Sequence, residues 1–374
     1  MARFTAVSAS LCLLTLAGPR VAQAQVVLET VTVGNPGNSP DDEVMVDDGS
    51  TGYGAVAHTY NIGKFEVTAG QYTVFLNAVA ATDTYGLYNT SMDDIPSGCQ
   101  ITRSGTSGSY TYDFSGRPSG TEADWTNRPV NYVTWGDAAR FSNWLHNGQP
   151  TGAQDLTTTE DGSYFLNGAV TDTELLTVDR KPDATWVVPS EDEWYKAAYH
   201  HNDGVTGNYW VHPTKSDEVP TWEPPPGTDM ANASANYLSG SGENPYVIGS
   251  PYYRTEVGAY DGKPSDSPYG TFDQGGNVWE WNESIVSDSH RKLRGGSFDS
   301  FGQVFLMLSA KRHRILTAVN EASDVGFRVA EVGIPQPAPI PAVSDVGLAV
   351  LVTLLLGAGG VVISRRSRVA CSHP

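Results

Sequence analysis

Residues 269–281 read YGTFDQGGNVWEW and place two carboxylates, paired glycines and two indoles in one short segment. Asp273 stands seven residues before Glu280, and Gly275 and Gly276 between them allow the backbone to turn back and direct carbonyl oxygens inward. Hard oxygen ligands in a loop of this kind are those that Ca²⁺ prefers. The stretch therefore predicts a calcium loop.

The second half of this stretch has the alternation of a β-strand. Strand geometry puts Trp279 and Trp281 on one face and Val278 and Glu280 on the other. The two indoles would then anchor the loop in the core, while the opposite face serves an ion. The local sequence leaves a second interpretation open, in which the segment is a buried β-turn with a solvated Glu280.

The beginning of the 374-residue chain has the pattern of a signal peptide. Residues 1–24 contain an early cation, Arg3, then an apolar run, and end in Ala-Gln-Ala, the small-residue pattern that signal peptidase reads. The sequence therefore predicts export.

The end of the chain has the pattern of a membrane anchor. Residues 346–363 are uncharged and approach the length of a bilayer span. Residues 364–374 contain three arginines and are expected to stay cytoplasmic. A buried core helix is the alternative, but the basic tail and the Pro-rich residues 332–345 before the run disfavour it.

Residues 25–331 lie between these signals and contain no linker that would divide them, so we expect one domain. Only Cys99 falls inside this domain, so no intramolecular disulfide is available to it. The whole chain has 42 acidic and 23 basic residues and a formal charge of −19, which disfavours nucleic acid as a partner.

Three helices are predicted by side chains that cap free backbone N–H groups. Thr68 with Gln71 and Ser190 with Glu193 form capping-box patterns, and Thr134 precedes a third helical segment. The remainder consists of short runs rich in Gly, Ser, Thr, Tyr and Trp, the pattern of short strands joined by long loops.

Six blocks of sequence occur in an order that resembles the formylglycine-generating enzyme, or sulfatase-modifying factor, family. The blocks are FEVTAGQY at 65–72, RPVNYVTWGDAARFSNWL at 128–145, VVPSEDEWYKAAY at 187–199, YGTFDQGGNVWEW at 269–281, RGGSF at 294–298 and GFRVA at 326–330. The resemblance implies an α+β, C-type-lectin-like fold with little regular secondary structure, often stabilised by two Ca²⁺ ions.

The resemblance also implies calcium ligands. The second calcium site of the family falls on the carboxylates of Asp273 and Glu280 and on the carbonyls of Gly276 and Val278. The family commonly has Asn at the first of these positions, and the Asp found here keeps an oxygen ligand and adds charge. The first calcium site maps onto a pair of residues, Asn236 and the carbonyl of Tyr237. Its remaining ligand has no sure counterpart.

The catalytic positions of the family are where this sequence departs from it. The oxidase members bind copper through two cysteines, because soft thiolates select Cu(I). The matching positions here are Ser300 and Phe305, and neither side chain is a useful ligand for Cu(I). We therefore expect neither copper nor formylglycine generation. Ser297 and the pair His200 and His201 are interpreted as structural, as a turn residue and as helix-end imidazoles.

A surface after the GGS turn is the predicted ligand site. In relatives this surface holds the substrate peptide, and in lectin-like variable proteins it binds diverse ligands. Aromatic rings with arginines are typical of binding hot spots. The residues here are Phe298, Asp299, Phe301, Gln303, Lys311, Arg312 and Arg314.

Three functions remain open on this basis. The sequence favours a calcium-stabilised binding module for a peptide, glycan or envelope ligand. The alternative is a divergent metal-dependent enzyme of the same family that acts on an exported peptide. A structural component of the envelope shares every feature of the first.

The end of the chain carries a resemblance of its own. IPAVSDVG at 340–347, followed by the apolar run and the arginines, resembles the IPTL variant of the PEP-CTERM-like bacterial sorting signals. This implies a protein that is anchored in, or released from, the bacterial cell surface, with a sorting protease as a partner.

Overall fold

The computed structural model describes residues 25–227, 233–238, 245–262, 264–286, 289–300 and 310–333. The predicted signal peptide, sorting motif, membrane anchor and basic tail lie outside these residues. Within the described ranges, no helix is long and apolar enough to cross a bilayer.

The predicted helix starts are confirmed. Five α-helices occur in the described residues: α1 Ala69–Val79, α2 Ala123–Thr126, α3 Trp135–His146, α4 Asp172–Leu175 and α5 Glu191–Tyr199. Thr68, Thr134 and Ser190 each accept a hydrogen bond from the backbone N–H three residues on, and the side chain at that third position returns a bond to the cap. The two single-turn helices were not predicted, because four residues carry too little periodicity to be recognised.

The strands are short, as the sequence predicts for most of the chain. They are β1 Thr30–Val33, β2 Tyr60–Gly63, β3 Thr102–Ser104, β4 Thr111–Asp113, β5 Trp186–Val187, β6 Thr221–Trp222, β7 Ser234–Ala235, β8 Trp279–Val286, β9 His290–Arg294, β10 Arg314–Leu316, β11 Val325–Gly326 and β12 Ala330–Glu331. With the helices, they make an α+β architecture, as predicted.

Two four-stranded sheets organise the fold. One has the order β1-β2-β12-β5, so the first and last strands of the described chain share a sheet. The other has the order β10-β9-β8-β11. In this second sheet β8 pairs antiparallel with β9 and parallel with β11, where Gly326 is the partner of Glu280. Residues 269–281 thus lead into β8, a central strand of this sheet.

Aromatic rings form the centre of the core, between α1, α3 and the segment after β11. Phe75 and Phe141 lie edge to face with ring centroids 5.3 Å apart, and Phe327 contacts Phe141 at 5.5 Å. All three side chains are fully buried. Large buried rings supply much of the hydrophobic stabilisation in a domain that has little regular secondary structure.

Candidate metal and ligand sites

The loop before β8 has the backbone conformation that its glycines and polar residues allow. Asp273, Gly276 and Asn277 all have positive φ, at 61°, 97° and 62°. Asp and Asn tolerate this left-handed region better than other residues with a side chain. A Cβ at Gly276 would overlap the carbonyl oxygen of Asn236, so glycine is required there by both conformation and space.

Glu280 lies in the interior of the protein and forms an ion pair with Arg328. Nε of Arg328 is 2.5 Å from Oε2 of Glu280, Nη2 is 2.6 Å from Oε1, and neither side chain has any exposed surface. The indole N–H of Trp194 donates a further hydrogen bond of 2.7 Å to Oε2. The interpretation with a solvated Glu280 is therefore wrong.

A third carboxylate, which sequence reasoning did not assign to this site, belongs to Glu66. Its Oε1 accepts a hydrogen bond of 3.1 Å from Asn277, whereas its Oε2 is buried without a partner among the described residues. Burial, together with the charges of Asp273 and Glu280, raises the pKa of Glu66 well above its usual value.

Asp273 lies beside the same group of charges. Its Oδ2 accepts a hydrogen bond of 2.6 Å from the backbone N–H of Gly258. Burial raises the pKa of Asp273 to about 6, and the charge of Glu280 adds to this shift while Arg328 opposes it. When all are ionised, the carboxylates of Glu66, Asp273 and Glu280 exceed the single guanidinium by two negative charges.

The residues of the two predicted calcium sites lie close together. The carbonyl oxygen of Asn236 accepts a hydrogen bond of 2.8 Å from the backbone N–H of Asn277, next to Gly276. The side-chain Oδ1 of Asn236 is buried and has no partner within the described ranges. The hydroxyl of Tyr237 donates to the carbonyl of Pro220, and Val278 is fully buried.

No group of three or more His, Cys, Asp or Glu side chains is placed to hold a metal ion in the part of the chain that the structure describes. The predicted calcium site combines two carboxylates with backbone carbonyls.

Phe298, the first residue of the predicted ligand surface, is buried and not exposed to a ligand. Phe298 is 4% exposed, and its ring lies 5.6 Å from that of Tyr253 and 6.4 Å from that of Tyr246. Asp299 is exposed and accepts a hydrogen bond of 3.1 Å from the hydroxyl of Tyr246. The guanidinium of Arg254 lies 5.8 Å from the ring of Phe298. This arrangement fixes the position of Asp299 at the surface.

The two predicted arginines are tied to different parts of the chain. Arg312 forms an ion pair with Asp47 at 2.8 Å, and Arg314 forms one with Asp324 at 2.9 Å. The side chain of Arg312 is 21% exposed and that of Arg314 is 32% exposed. Phe301, Gln303 and Phe305 lie outside the described residues.

The position of the first copper cysteine of the family holds a hydroxyl within a closed network. Oγ of Ser300 accepts a hydrogen bond of 2.8 Å from the backbone N–H of Ser297, and the two hydroxyls are 3.1 Å apart. Ser297 also donates to Asp324 at 3.2 Å. Cys99, the one cysteine of the described ranges, is fully buried, and burial raises the pKa of its thiol.

Sequence reasoning missed Glu66, Arg328 and Arg254 as members of these sites. Glu66 and Arg328 both lie in blocks that carry the family resemblance, FEVTAGQY and GFRVA. Each of these blocks contains one charged residue among apolar ones. Because charged side chains are rarely buried without a partner, this pattern indicates a buried ion pair or hydrogen bond. Arg254 lies in a segment without any pattern.

A comparison with protein families agrees with the resemblance. A model of the sulfatase-modifying factor enzyme 1-like domain matches residues 29–332. Variable protein 1 of Treponema denticola is 17% identical and has a TM-score of 0.44, with 83% of this chain and 97% of that chain covered. The structure of PvdO from Pseudomonas aeruginosa is 15% identical, with a TM-score of 0.44 and coverage of 81% and 93%. That of CarF is 19% identical, with a TM-score of 0.40 and coverage of 82% and 98%. Among proteins with curated descriptions, none matches.

Proposed function

Because the chain belongs to the sulfatase-modifying factor enzyme 1-like domain family, we propose that it is an exported, surface-anchored binding module of that family, stabilised by calcium and without formylglycine-generating activity. The observation that carries this proposal is the state of Ser300. It occupies the position of a copper thiolate and is engaged with Ser297 in a closed hydroxyl network. An alcohol held in this way offers Cu(I) no soft ligand.

The electrostatics of the loop before β8 support calcium. Asp273 and the carbonyls of Gly276 and Val278 would hold the ion together with Glu280, whose carboxylate also accepts hydrogen bonds from Arg328. Glu66 lies near enough to raise the local negative charge. When the three carboxylates are ionised, their excess of two negative charges over the guanidinium of Arg328 equals the charge of one Ca²⁺ ion. The unpartnered oxygens of Glu66 and Asn236 are further acceptors that a cation would satisfy.

The exposed part of the ligand surface supports recognition. Asp299 is exposed and held by Tyr246, and the guanidinium of Arg314 lies near solvent beside Trp279, at 6.0 Å from its ring. A fixed carboxylate and a nearby guanidinium are groups that a polar ligand such as a peptide or glycan of the envelope would contact. Phe298 is buried beneath this surface, where its ring packs against Tyr246 and Tyr253.

Stabilisation by calcium is tested by thermal unfolding of the purified protein, once in the presence of calcium and once in the presence of a chelator. The wild-type protein should unfold at a higher temperature in calcium, and Asp273→Ala should remove most of that difference. Asp113→Ala changes an exposed carboxylate and serves as the control. An equal response to chelator in Asp273→Ala and wild type would refute the site.

Recognition is tested by screening the protein against envelope peptides and glycans. Binding of a ligand that Asp299→Ala weakens, without a change in melting temperature, supports the proposal. Metal analysis of the same preparation distinguishes a binding module from a divergent metal-dependent enzyme. Stoichiometric copper or iron, together with oxygen consumption, would identify the enzyme.

A further inference from the structure

A hollow of about 270 Å³ opens at a part of the surface that the family resemblance does not assign to any role. One wall consists of residues 41–43, a second of residues 207–211 with His201, and Ala310 closes the hollow. We propose that this hollow binds an ammonium or guanidinium group, carried by a free amine or by a lysine or arginine side chain of a peptide.

The first wall is acidic, since three carboxylates follow one another at Asp41, Asp42 and Glu43. Asp41 is buried and held in place: the hydroxyl of Tyr195 donates to it at 2.7 Å and the backbone N–H of Glu43 at 3.0 Å. Asp42 is exposed, and no described residue donates a hydrogen bond to its carboxylate or pairs with it. Its charge is therefore available to a ligand.

The second wall is aromatic. Trp210 is half-buried and stacks on His201, with ring centroids 4.1 Å apart and planes inclined by 27°. Nε2 of His201 is buried and lacks a hydrogen-bond partner in the described residues. Tyr209 is fixed because its hydroxyl donates to the carbonyl of Ser39 at 2.9 Å.

Charge and ring type together select the ligand class. Carboxylates repel an anion, and the face of an indole attracts a cation by its quadrupole. Lys311 pairs with Glu43 at 3.1 Å and so offsets only part of the negative charge of the hollow. Within the described ranges, no three acidic or imidazole groups are placed to hold a metal ion.

The test is calorimetric titration of the purified protein with Nα-acetyl-argininamide and Nα-acetyl-lysinamide, and with Nα-acetyl-norleucinamide as the neutral control. The cationic amides should bind at least about tenfold more tightly than the neutral one, and added salt should weaken them. An arginine-containing tripeptide amide distinguishes the two sources of the cation: tighter binding than the free amides indicates a peptide, and equal binding indicates a small amine.

Two variants localise the effect. Asp42→Asn should weaken binding of the cationic amides about threefold or more, and Trp210→Leu about tenfold, whereas Asp113→Asn should leave binding unchanged. Equal binding of the norleucine derivative, or wild-type affinity in Asp42→Asn, would overturn the proposal. So would binding of an N-acetylglucosamine oligosaccharide that depends on Trp210 and not on Asp42. Asp299→Ala leaves this hollow intact, so the outcome is independent of the ligand surface proposed above.

Discussion

Glu280 and Arg328 form a two-pronged ion pair that is closed to solvent, with nitrogen to oxygen distances of 2.5 and 2.6 Å. The pair joins the central strand β8 to the GFRVA segment near the end of the domain. The positive charge of Arg328 also lowers the pKa of both Glu66 and Asp273. The charge balance beside the loop before β8 therefore depends on the guanidinium of Arg328.

Arg328→Met should lower the free energy of unfolding by about 3–5 kcal/mol, because it leaves a buried carboxylate without its partner. Urea denaturation measures this. Lys181→Met removes a cation from a pair with Asp161 in which both side chains are about one third exposed, and should cost less than about 1 kcal/mol. Comparable losses in the two variants would contradict the role of Arg328.

Gly276→Ala should destabilise the protein by at least about 2 kcal/mol, because the new Cβ meets the Asn236 carbonyl in a left-handed backbone conformation. Gly34→Ala is the matched control, since Gly34 has open space around it, and should change stability by less than about 0.5 kcal/mol. Chemical denaturation of both variants compares the two positions. A neutral result at Gly276 would mean that the loop has another conformation.

Ser190→Ala should cost about 1 kcal/mol, because the hydroxyl of Ser190 accepts the backbone N–H of Glu193 at 3.1 Å and so caps α5. Ser115→Ala, at an exposed loop position, is expected to be close to neutral. Denaturant midpoints for both variants measure the difference. If the two midpoints coincide, the capping box contributes nothing measurable.

Glu321 should make stability depend on pH. Burial and the charge of Asp137 raise its pKa to about 7, above the value of 4.5 expected in the unfolded chain. The folded state therefore binds the proton more tightly, and the resulting stabilisation is complete below about pH 4.5 and lost as the pH rises through 7.

Glu321→Gln removes this proton and should reduce the fall in stability between pH 5.5 and 8.5. It should not abolish the fall, because burial also raises the pKa of Asp137, to about 6. Urea midpoints at the two pH values provide the comparison, with Glu29→Gln, an exposed carboxyl, as the control. An unchanged difference in Glu321→Gln would show that another group is responsible.

Local patterns in the sequence predicted the parts of the fold that local contacts determine. Capping boxes located the starts of α1, α3 and α5, because a cap needs only side chains three residues apart. The alternation in WEW predicted β8, but the alternation did not show that Glu280 is buried. That burial depends on Arg328, which lies 48 residues away and comes near only in the folded chain.

In the candidate sites too, the residues of one short stretch were predictable, and those brought together from distant segments were not. Asp273, Gly276 and Glu280 were recognisable because one short stretch, residues 269–281, contains all three. Glu66 was not, because its proximity to Asp273 arises from packing between distant segments. Phe298 was expected at the ligand surface, yet aromatic type alone does not distinguish an exposed ring from one packed against Tyr253.

The most direct test of the account is anaerobic titration of the purified protein with Cu(I), followed by oxygen uptake with a thiol-containing peptide. Because Ser300 stands in the place of a thiolate and Cys99 is buried, we expect no stoichiometric copper binding and no peptide-dependent oxygen consumption. One tightly bound Cu(I) per chain with turnover of the peptide would contradict it.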